Sequence, residues 1–295
     1  MNNQKKYFGK SILIGKSNVG KSTIINKLIK TKISIVSKKP HTTQNNIFGI
    51  KNIGITHQLI YVDTPGISTK HIYTIQNKIF KNIIALLYEV NFIFFVLDKT
   101  NWTFEDEYIL KIIKKYSKPT FVIINKIDKI NDKKLLLPYI FNLNKKHVFE
   151  NIIPVSGKTG ENINLLSNII KNKLSLVSQH KFPINVKTTS NIYKYLSEII
   201  REKFILYLGD ELPYSIKVII TKIIDRCNNT LYIKSLILIN KGQHKKIIIG
   251  KNGQKIKLCG TLARKAIEIF IKKKIYLSLE VTKITKYYEH FWNRY

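Results

Sequence analysis

Gly15-Lys16-Ser17-Asn18-Val19-Gly20-Lys21-Ser22-Thr23 follows the apolar run 11–14 and leads into Ile24-Ile25-Asn26-Lys27-Leu28-Ile29. The stretch reads G-x-x-x-x-G-K-S between a strand and a helix, the setting a phosphate-binding P-loop requires. Its glycines let backbone N–H groups turn inward around phosphates, and the following helix presents its positive N-terminal end. Lys21 supplies a cation to the β- and γ-phosphates, and the Ser22 hydroxyl is a ligand for Mg²⁺. A P-loop after the first strand also predicts a doubly wound α/β domain, with ligand loops at the carboxyl ends of its strands.

Three later segments extend the site. Asp63-Thr64-Pro65-Gly66 ends the apolar strand 58–62. Asp63 there can reach Mg²⁺ through water, and the Gly66 N–H can sense a γ-phosphate. Asn125-Lys126-Ile127-Asp128 ends the strand 120–124. A carboxylate at Asp128 accepts paired hydrogen bonds from N1–H and the 2-amino group of guanine. Adenine lacks that amino group and would leave the carboxylate unpaired, a strong basis for rejection. Thr42 and Thr43, in the polar stretch between the P-loop helix and the next strand, are candidates to close over the γ-phosphate; Thr43 is the expected second Mg²⁺ ligand. Lys21, Thr43, Asp63 and Gly66 form the expected catalytic set.

Strands at 11–14, 47–53, 58–62, 92–97, 120–124 and 148–155 alternate with helix-period segments such as 105–116 and 163–174. Residues 1–176 are read as one nucleotide-binding domain, 177–190 as a polar linker, 191–284 as a second domain and 285–295 as a tail. The two cysteines, Cys227 and Cys259, are far apart, which suits free thiols rather than a zinc site or disulfide. No run approaches the roughly 18 apolar residues of a membrane span, and the N-terminus carries no secretory pattern, so the expected location is cytoplasmic.

The net charge of +33 points to a polyanionic partner, although Lys, Ile and Asn are abundant throughout, as in an AT-rich coding bias. Local clustering is better evidence. Residues 241–274 hold eleven Lys or Arg against one acid, whereas an even spread of the total would leave a net of about +4 there. Inside this segment lies Ile249-Gly250-Lys251-Asn252-Gly253-Gln254, a G-x-x-G turn between two helical stretches. With strands at 213–224, 230–239 and 275–281 and a helix at 193–203, the order helix–strand–strand–helix–helix–strand suits a type II KH domain. Such a turn lets a nucleic-acid backbone approach closely, and KH domains clamp about four nucleotides this way. Lys245, Lys246, Ile249, Gly250, Lys251, Asn252, Gly253, Lys255 and Lys257 are the candidate RNA-binding residues; the lysines supply phosphate affinity without base specificity.

A P-loop nucleotide-binding domain followed by a type II KH domain resembles the Era family of GTPases. The resemblance runs from about Gly9 to about Val281 and includes residues 33–43, 102–103, 136–138, 199–203 and 208–215 outside the nucleotide loops. It implies GTP binding with Mg²⁺, slow GTP hydrolysis and binding of the 3′ end of small-subunit ribosomal RNA. It further implies a role in small-subunit assembly and, often, partial association with the inner face of the membrane, a peripheral contact with anionic lipid; the chain is expected to act as a monomer. Two positions differ or leave a gap. The guanine loop reads Ser156-Gly157-Lys158 where the family has Ser-Ala, so the Gly157 N–H is expected to meet guanine O6 from a looser loop. Ile67 stands where Ras-like enzymes place a water-orienting glutamine. Asn18 has two readings: it helps hold a stimulating K⁺ ion, or it only shapes the loop. The competing function is a passive RNA-binding scaffold with a decayed GTPase.

Overall fold

The structure, a computed structural model, describes residues 5–34, 46–67, 78–183, 186–188, 192–207, 216–226 and 230–284. The chain divides into two units on either side of residues 189–190.

In the first unit the strands are β1 (Lys6–Ile14), β2 (Ile47–Ile53), β3 (His57–Asp63), β4 (Phe92–Asp98), β5 (Thr120–Asn125), β6 (Asn151–Pro154) and β7 (Ser175–Val177). The helices are α1 (Lys21–Ile29), α2 (Lys78–Glu89), α3 (Phe104–Lys114), α4 (Leu136–Lys146) and α5 (Ile163–Lys171). The sheet order is β2-β3-β1-β4-β5-β6. Only β2 and β7 run antiparallel to their neighbours. Parallel strands are covered on both faces, so their sequences are apolar throughout rather than alternating. Ile93–Leu97 and Phe121–Ile124 are accordingly buried at every position.

Register decides which strand ends meet. Leu13 pairs with Asp63, Ile14 with Phe95, and Asp98 with Asn125. The P-loop, Asp63 and Asn125 therefore leave the same edge of the sheet, where successive connections turn to opposite sides of β1 and open a crevice.

Helix α1 buries Ile24, Ile25, Leu28 and Ile29, an i, i+1, i+4, i+5 stripe that packs onto the sheet. Helix α3 starts at a capping box in which Thr103 and Asp106 satisfy each other's backbone N–H groups.

Most of the doubly wound reading holds, with two differences. The expected strand 148–155 shortens to Asn151–Pro154, because Val148 faces solvent and only Phe149 turns inward to the core. The stretch read as a linker is built onto the first unit. Val177 pairs with Lys6 in β7, Gln58 exchanges two hydrogen bonds with the Phe182 backbone, and Ile50 N–H donates to Lys187 O at 2.8 Å. Val177, Phe182 and Val186 also pack against the core, and the Thr188 hydroxyl donates to Phe48 O at 2.6 Å, so both backbone and side chains make the attachment.

The second unit contains α6 (Ile192–Tyr207), β8 (Ile216–Arg226), β9 (Thr230–Ile239), α7 (His244–Ile249), α8 (Gln254–Ile271) and β10 (Lys274–Lys283), the expected element order. Its sheet runs β10-β9-β8, with β9 and β10 parallel and β8 and β9 antiparallel. Leu196, Ile200 and Phe204 of α6 join Ile237, Ile248, Ala263 and Ile267 among its buried residues. Arg201 is buried against Glu198 through bonds of 2.8 and 3.1 Å, so neither charge is left isolated there. Cys259 is a buried free thiol, pushed up to about 11 by burial; Cys227 lies outside the described residues. Among the described residues no helix is long and apolar enough to cross a membrane.

Candidate nucleotide site and nucleic-acid interface

The P-loop leaves β1 as an open turn, with Asn18 and Gly20 at positive φ. Lys21 is folded back over it, its Nζ donating to the carbonyls of Gly15 at 3.0 Å and Lys16 at 2.9 Å. Burial lowers its pKa to about 8, opposed by the nearby Asp63 charge. A buried ammonium hydrogen-bonded to two carbonyls, with one carboxylate charge nearby, is a ready receptor for phosphate oxygens.

Asp63 is fully buried. Its Oδ2 accepts the Ser22 hydroxyl at 2.6 Å, while Oδ1 has no hydrogen-bond partner among the described residues. Burial raises its pKa, with Ser22 and Lys21 pulling the other way. An orphaned carboxylate oxygen beside a serine hydroxyl is the donor set a hard, oxygen-seeking cation such as Mg²⁺ takes. The residues present therefore fit that ion.

Thr64 is spent on the fold, its hydroxyl donating to Leu13 O at 2.6 Å. Gly66 lies against the P-loop so closely that a Cβ there would sit 2.5 Å from Ser17 Cα. Next to it, Ile67 N–H donates to Gly15 O at 3.2 Å and its side chain enters the core. The position that could have oriented a water is thus occupied by packing. Thr42 and Thr43 lie outside the described residues.

Asn125 braces the base side. Its Nδ2 donates to Val19 O at 2.7 Å, and its Oδ1 accepts the Gly157 N–H at 2.9 Å, joining the P-loop to the guanine loop. The expected Gly157 contact with guanine O6 changes accordingly, since that N–H already has a partner and O6 would have to share it. Nor is the loop loose: Gly160 N–H bonds Ser156 O at 2.8 Å, and Ser156 N–H bonds Glu161 O at 3.1 Å. The Ser156 hydroxyl donates to Asp128 Oδ1 at 2.6 Å, fixing the orientation of an otherwise exposed carboxylate. Lys126 sits at φ 64° with its ammonium 3.0 Å from Asp98 Oδ2. Thr23 lies in the first turn of α1, half-buried.

One group of residues escaped the motif reading. Lys16 Nζ is 3.1 Å from Asp106 Oδ2 and 3.2 Å from Thr103 Oγ1, so the capping box of α3 also anchors the P-loop. The T-x-x-D pattern was legible as a helix start; its distant lysine was not.

In the second unit α7 and α8 meet at the G-x-x-G turn. Gly250 (φ 76°), Asn252 (φ 49°) and Gly253 (φ 73°) all adopt left-handed or glycine-type backbone, and a Cβ on Gly250 would sit 2.8 Å from Lys255 Cγ. Lys245, Lys246, Lys251, Lys255 and Lys257 are exposed, Ile249 is half-buried and Asn252 exposed. None of these lysines pairs with a carboxylate among the described residues. A cluster of unneutralised cations around a turn kept bare at Gly250 and Gly253 is a surface for a phosphate backbone.

The four loops on a doubly wound sheet define a P-loop GTPase, and the appended unit a KH domain. Comparison with known proteins agrees: the family described as 50S ribosome-binding GTPase matches residues 10–126, and the KH domain family matches residues 211–287. The GTPase Era of Buchnera aphidicola subsp. Baizongia pistaciae is 64% identical over 283 residues, covering 96% of this chain and 99% of that relative. That of Glaesserella parasuis is 38% identical over 95% of this chain and 93% of the relative. Among solved structures, an Aquifex aeolicus Era variant bound to GDP·AlF4⁻ superposes with a TM-score of 0.89 at 36% identity, covering 95% of each chain. An Era complex with MgGDPNP and nucleotides 1506–1542 of 16S ribosomal RNA gives the same score and identity, covering 96% of this chain and 95% of that one. The chain belongs to the Era family of GTPases.

Proposed function

We propose that this GTPase binds small-subunit ribosomal RNA near its 3′ end through the G-x-x-G turn and assists assembly of the small subunit under control of the bound nucleotide. The observation that carries the reading is that one chain keeps both an assembled guanine-nucleotide site and a bare cationic G-x-x-G turn, the two ligand classes held by the related complex described above. A passive scaffold would have no use for a buried Lys21 and Asp63, whose desolvation costs stability unless a ligand answers it. That argues against a decayed GTPase.

In this scheme Lys21 and the P-loop N–H groups of residues 15–23 hold the β- and γ-phosphates, and the N–H of Gly66 senses the γ-phosphate. Asp128, held by Ser156, reads N1–H and the 2-amino group of guanine, with Asn125 and Lys126 shaping the base pocket around it. Ser22 and Asp63, with Thr43, would hold Mg²⁺. The ion supplies positive charge that offsets the charge on the phosphates. Ile67 leaves no side chain to orient water, which suits a slow intrinsic turnover. We further propose that Asn18, exposed at the tip of the loop with φ 63°, holds a K⁺ ion; equal turnover in KCl and NaCl would refute this. Lys245, Lys246, Lys251, Lys255 and Lys257 contact RNA phosphates, with Ile249 and Asn252 beside the backbone. We place the protein in the cytoplasm, where its net charge of +33 favours peripheral contact with anionic membrane.

The test is the affinity for an RNA matching the 3′ tail of small-subunit rRNA, at one fixed salt concentration, with GDP and with a non-hydrolysable GTP analogue. A difference of about 5- to 150-fold between the two states establishes a nucleotide-switched RNA binder. Tight binding that ignores the nucleotide leaves the passive scaffold.

A further inference from the structure

A cleft of about 530 Å³ opens on the first unit, lined by the end of α1, the end of β2, α5 and Lys187. Three of its lining residues are cations, Lys30, Lys51 and Lys187, and none is an acid. Among the described residues none of the three pairs with a carboxylate. Lys51 is half-buried, and of its three N–H donors one is used, on Ser167 Oγ at 2.7 Å. Among the described residues the other two have no protein acceptor. Burial, helped by the charge of Lys30, lowers the Lys51 pKa to about 8. The C-terminal end of α1 reaches this region, but its dipole amounts to about half a negative charge, well short of three cations.

The cleft is distinct from the nucleotide loops. Helix α1 begins beneath the P-loop at Lys21 and is capped by Lys30, about 14 Å along its axis. Lys30 also lines an adjoining cleft of about 450 Å³ that contains Lys27 and Lys32. Two neighbouring concavities sharing a lysine suit a ligand with more than one phosphate.

We propose that the Lys30–Lys51–Lys187 cleft is a second anion site of the GTPase unit, taking a phosphate-bearing ligand through these three ammonium groups and the Ser167 hydroxyl. Phosphate is the chemistry that matches it: several acceptor oxygens on one centre can use the open donors of Lys51 while spanning to the other two lysines. The group could come from a small polyphosphate or from the backbone of an RNA strand, and the experiment separates these sources.

The full chain is first saturated with GDP and Mg²⁺ to occupy the P-loop. It is then treated near pH 8 with a limiting amount of an amine-acetylating reagent, and acetylation of Lys51 and of exposed Lys115 is followed by peptide mass spectrometry. Parallel reactions contain inorganic pyrophosphate, a single-stranded RNA homopolymer, or NaCl at matched ionic strength. Site occupancy slows labelling by 1 + [L]/Kd, about tenfold at roughly ten times the dissociation constant, while Lys115 keeps its rate. Protection by pyrophosphate assigns a small polyphosphate, and protection by RNA alone assigns a strand backbone; either supports the site. A Lys30→Gln, Lys187→Gln double variant should lose the protection and keep GDP binding. No protection beyond the NaCl control with either ligand, or protection that survives the double variant, overturns the proposal.

Discussion

Replacing Asn125 with alanine tests whether this side chain is a structural brace as well as part of the base pocket. Asn125 is 2% exposed, and its amide makes one bond to Val19 O (2.7 Å) and one from Gly157 N–H (2.9 Å). Alanine removes both and leaves two backbone groups behind it without partners. Stranding a buried polar group costs about 1–3 kcal/mol, so the pair costs about 2–6 kcal/mol, with the lower end applying if water enters the loop. This loss is expected in the nucleotide-free protein. Urea unfolding of the first unit, followed by Trp102 fluorescence in a Trp292→Phe background, reads it directly. With a urea dependence of roughly 1–3 kcal/mol per molar, the midpoint should fall by about 1 M or more. GDP affinity should fall as well, because the P-loop and the guanine loop lose their common tie. An unchanged midpoint in the nucleotide-free state would refute the brace and reduce Asn125 to a ligand contact.

Asp128→Asn turns an acceptor into a group with a donor facing N1–H, so GTP affinity should drop by about 100-fold or more while xanthine nucleotides gain; unaltered GTP binding would sink the base-reading role. Gly253→Asp puts negative charge into the G-x-x-G turn where a Cβ meets nothing closer than 4.0 Å; the left-handed backbone at φ 73° costs Asp about 1–2 kcal/mol, so the fold and GTP binding should survive with slightly lower stability while RNA binding is lost. Gly250→Asp is the poorer probe, since its Cβ would collide with Lys255. Lys21 supplies a pH signature. Its folded pKa of about 8 lies below the ordinary 10.5, so the folded nucleotide-free protein binds fewer protons than the unfolded chain between those values and its stability should rise across that window. Phosphate binding restores the proton, so calorimetric titration with GDP just above pH 8, in two buffers of different ionisation heat, should show proton uptake. An absence of uptake would mean that Lys21 is already protonated there.

The nucleotide site was legible because each of its loops is a contiguous stretch whose chemistry follows from residue type and from the strand before it. Lys21, Ser22, Asp63 and Asp128 could be assigned roles without coordinates, and so could the element order of the KH unit. The 177–190 stretch was read as a linker, and its attachment was not legible because Val177, Phe182, Lys187 and Thr188 meet partners in β1, β2 and β3 that lie far away along the chain. That the Gly157 N–H also donates to Asn125 Oδ1 was likewise not legible, as nothing local connects two residues 32 positions apart.

The chain by itself determined two units, a guanine-nucleotide site and a basic G-x-x-G turn, because periodicity and short motifs encode strand ends and tight turns locally. Tertiary structure alone decided the pairs that hold these parts in place. Lys16 meets Asp106 across 90 residues, Asn125 meets Val19 across 106, and Lys51 meets Ser167 across 116. Such contacts arise from sheet order and register, which bring together strand ends that no local pattern connects. The cationic cleft at Lys51 belongs to this second kind: its lysines are ordinary in a chain with 51 Lys and Arg, until folding gathers three of them without an acid.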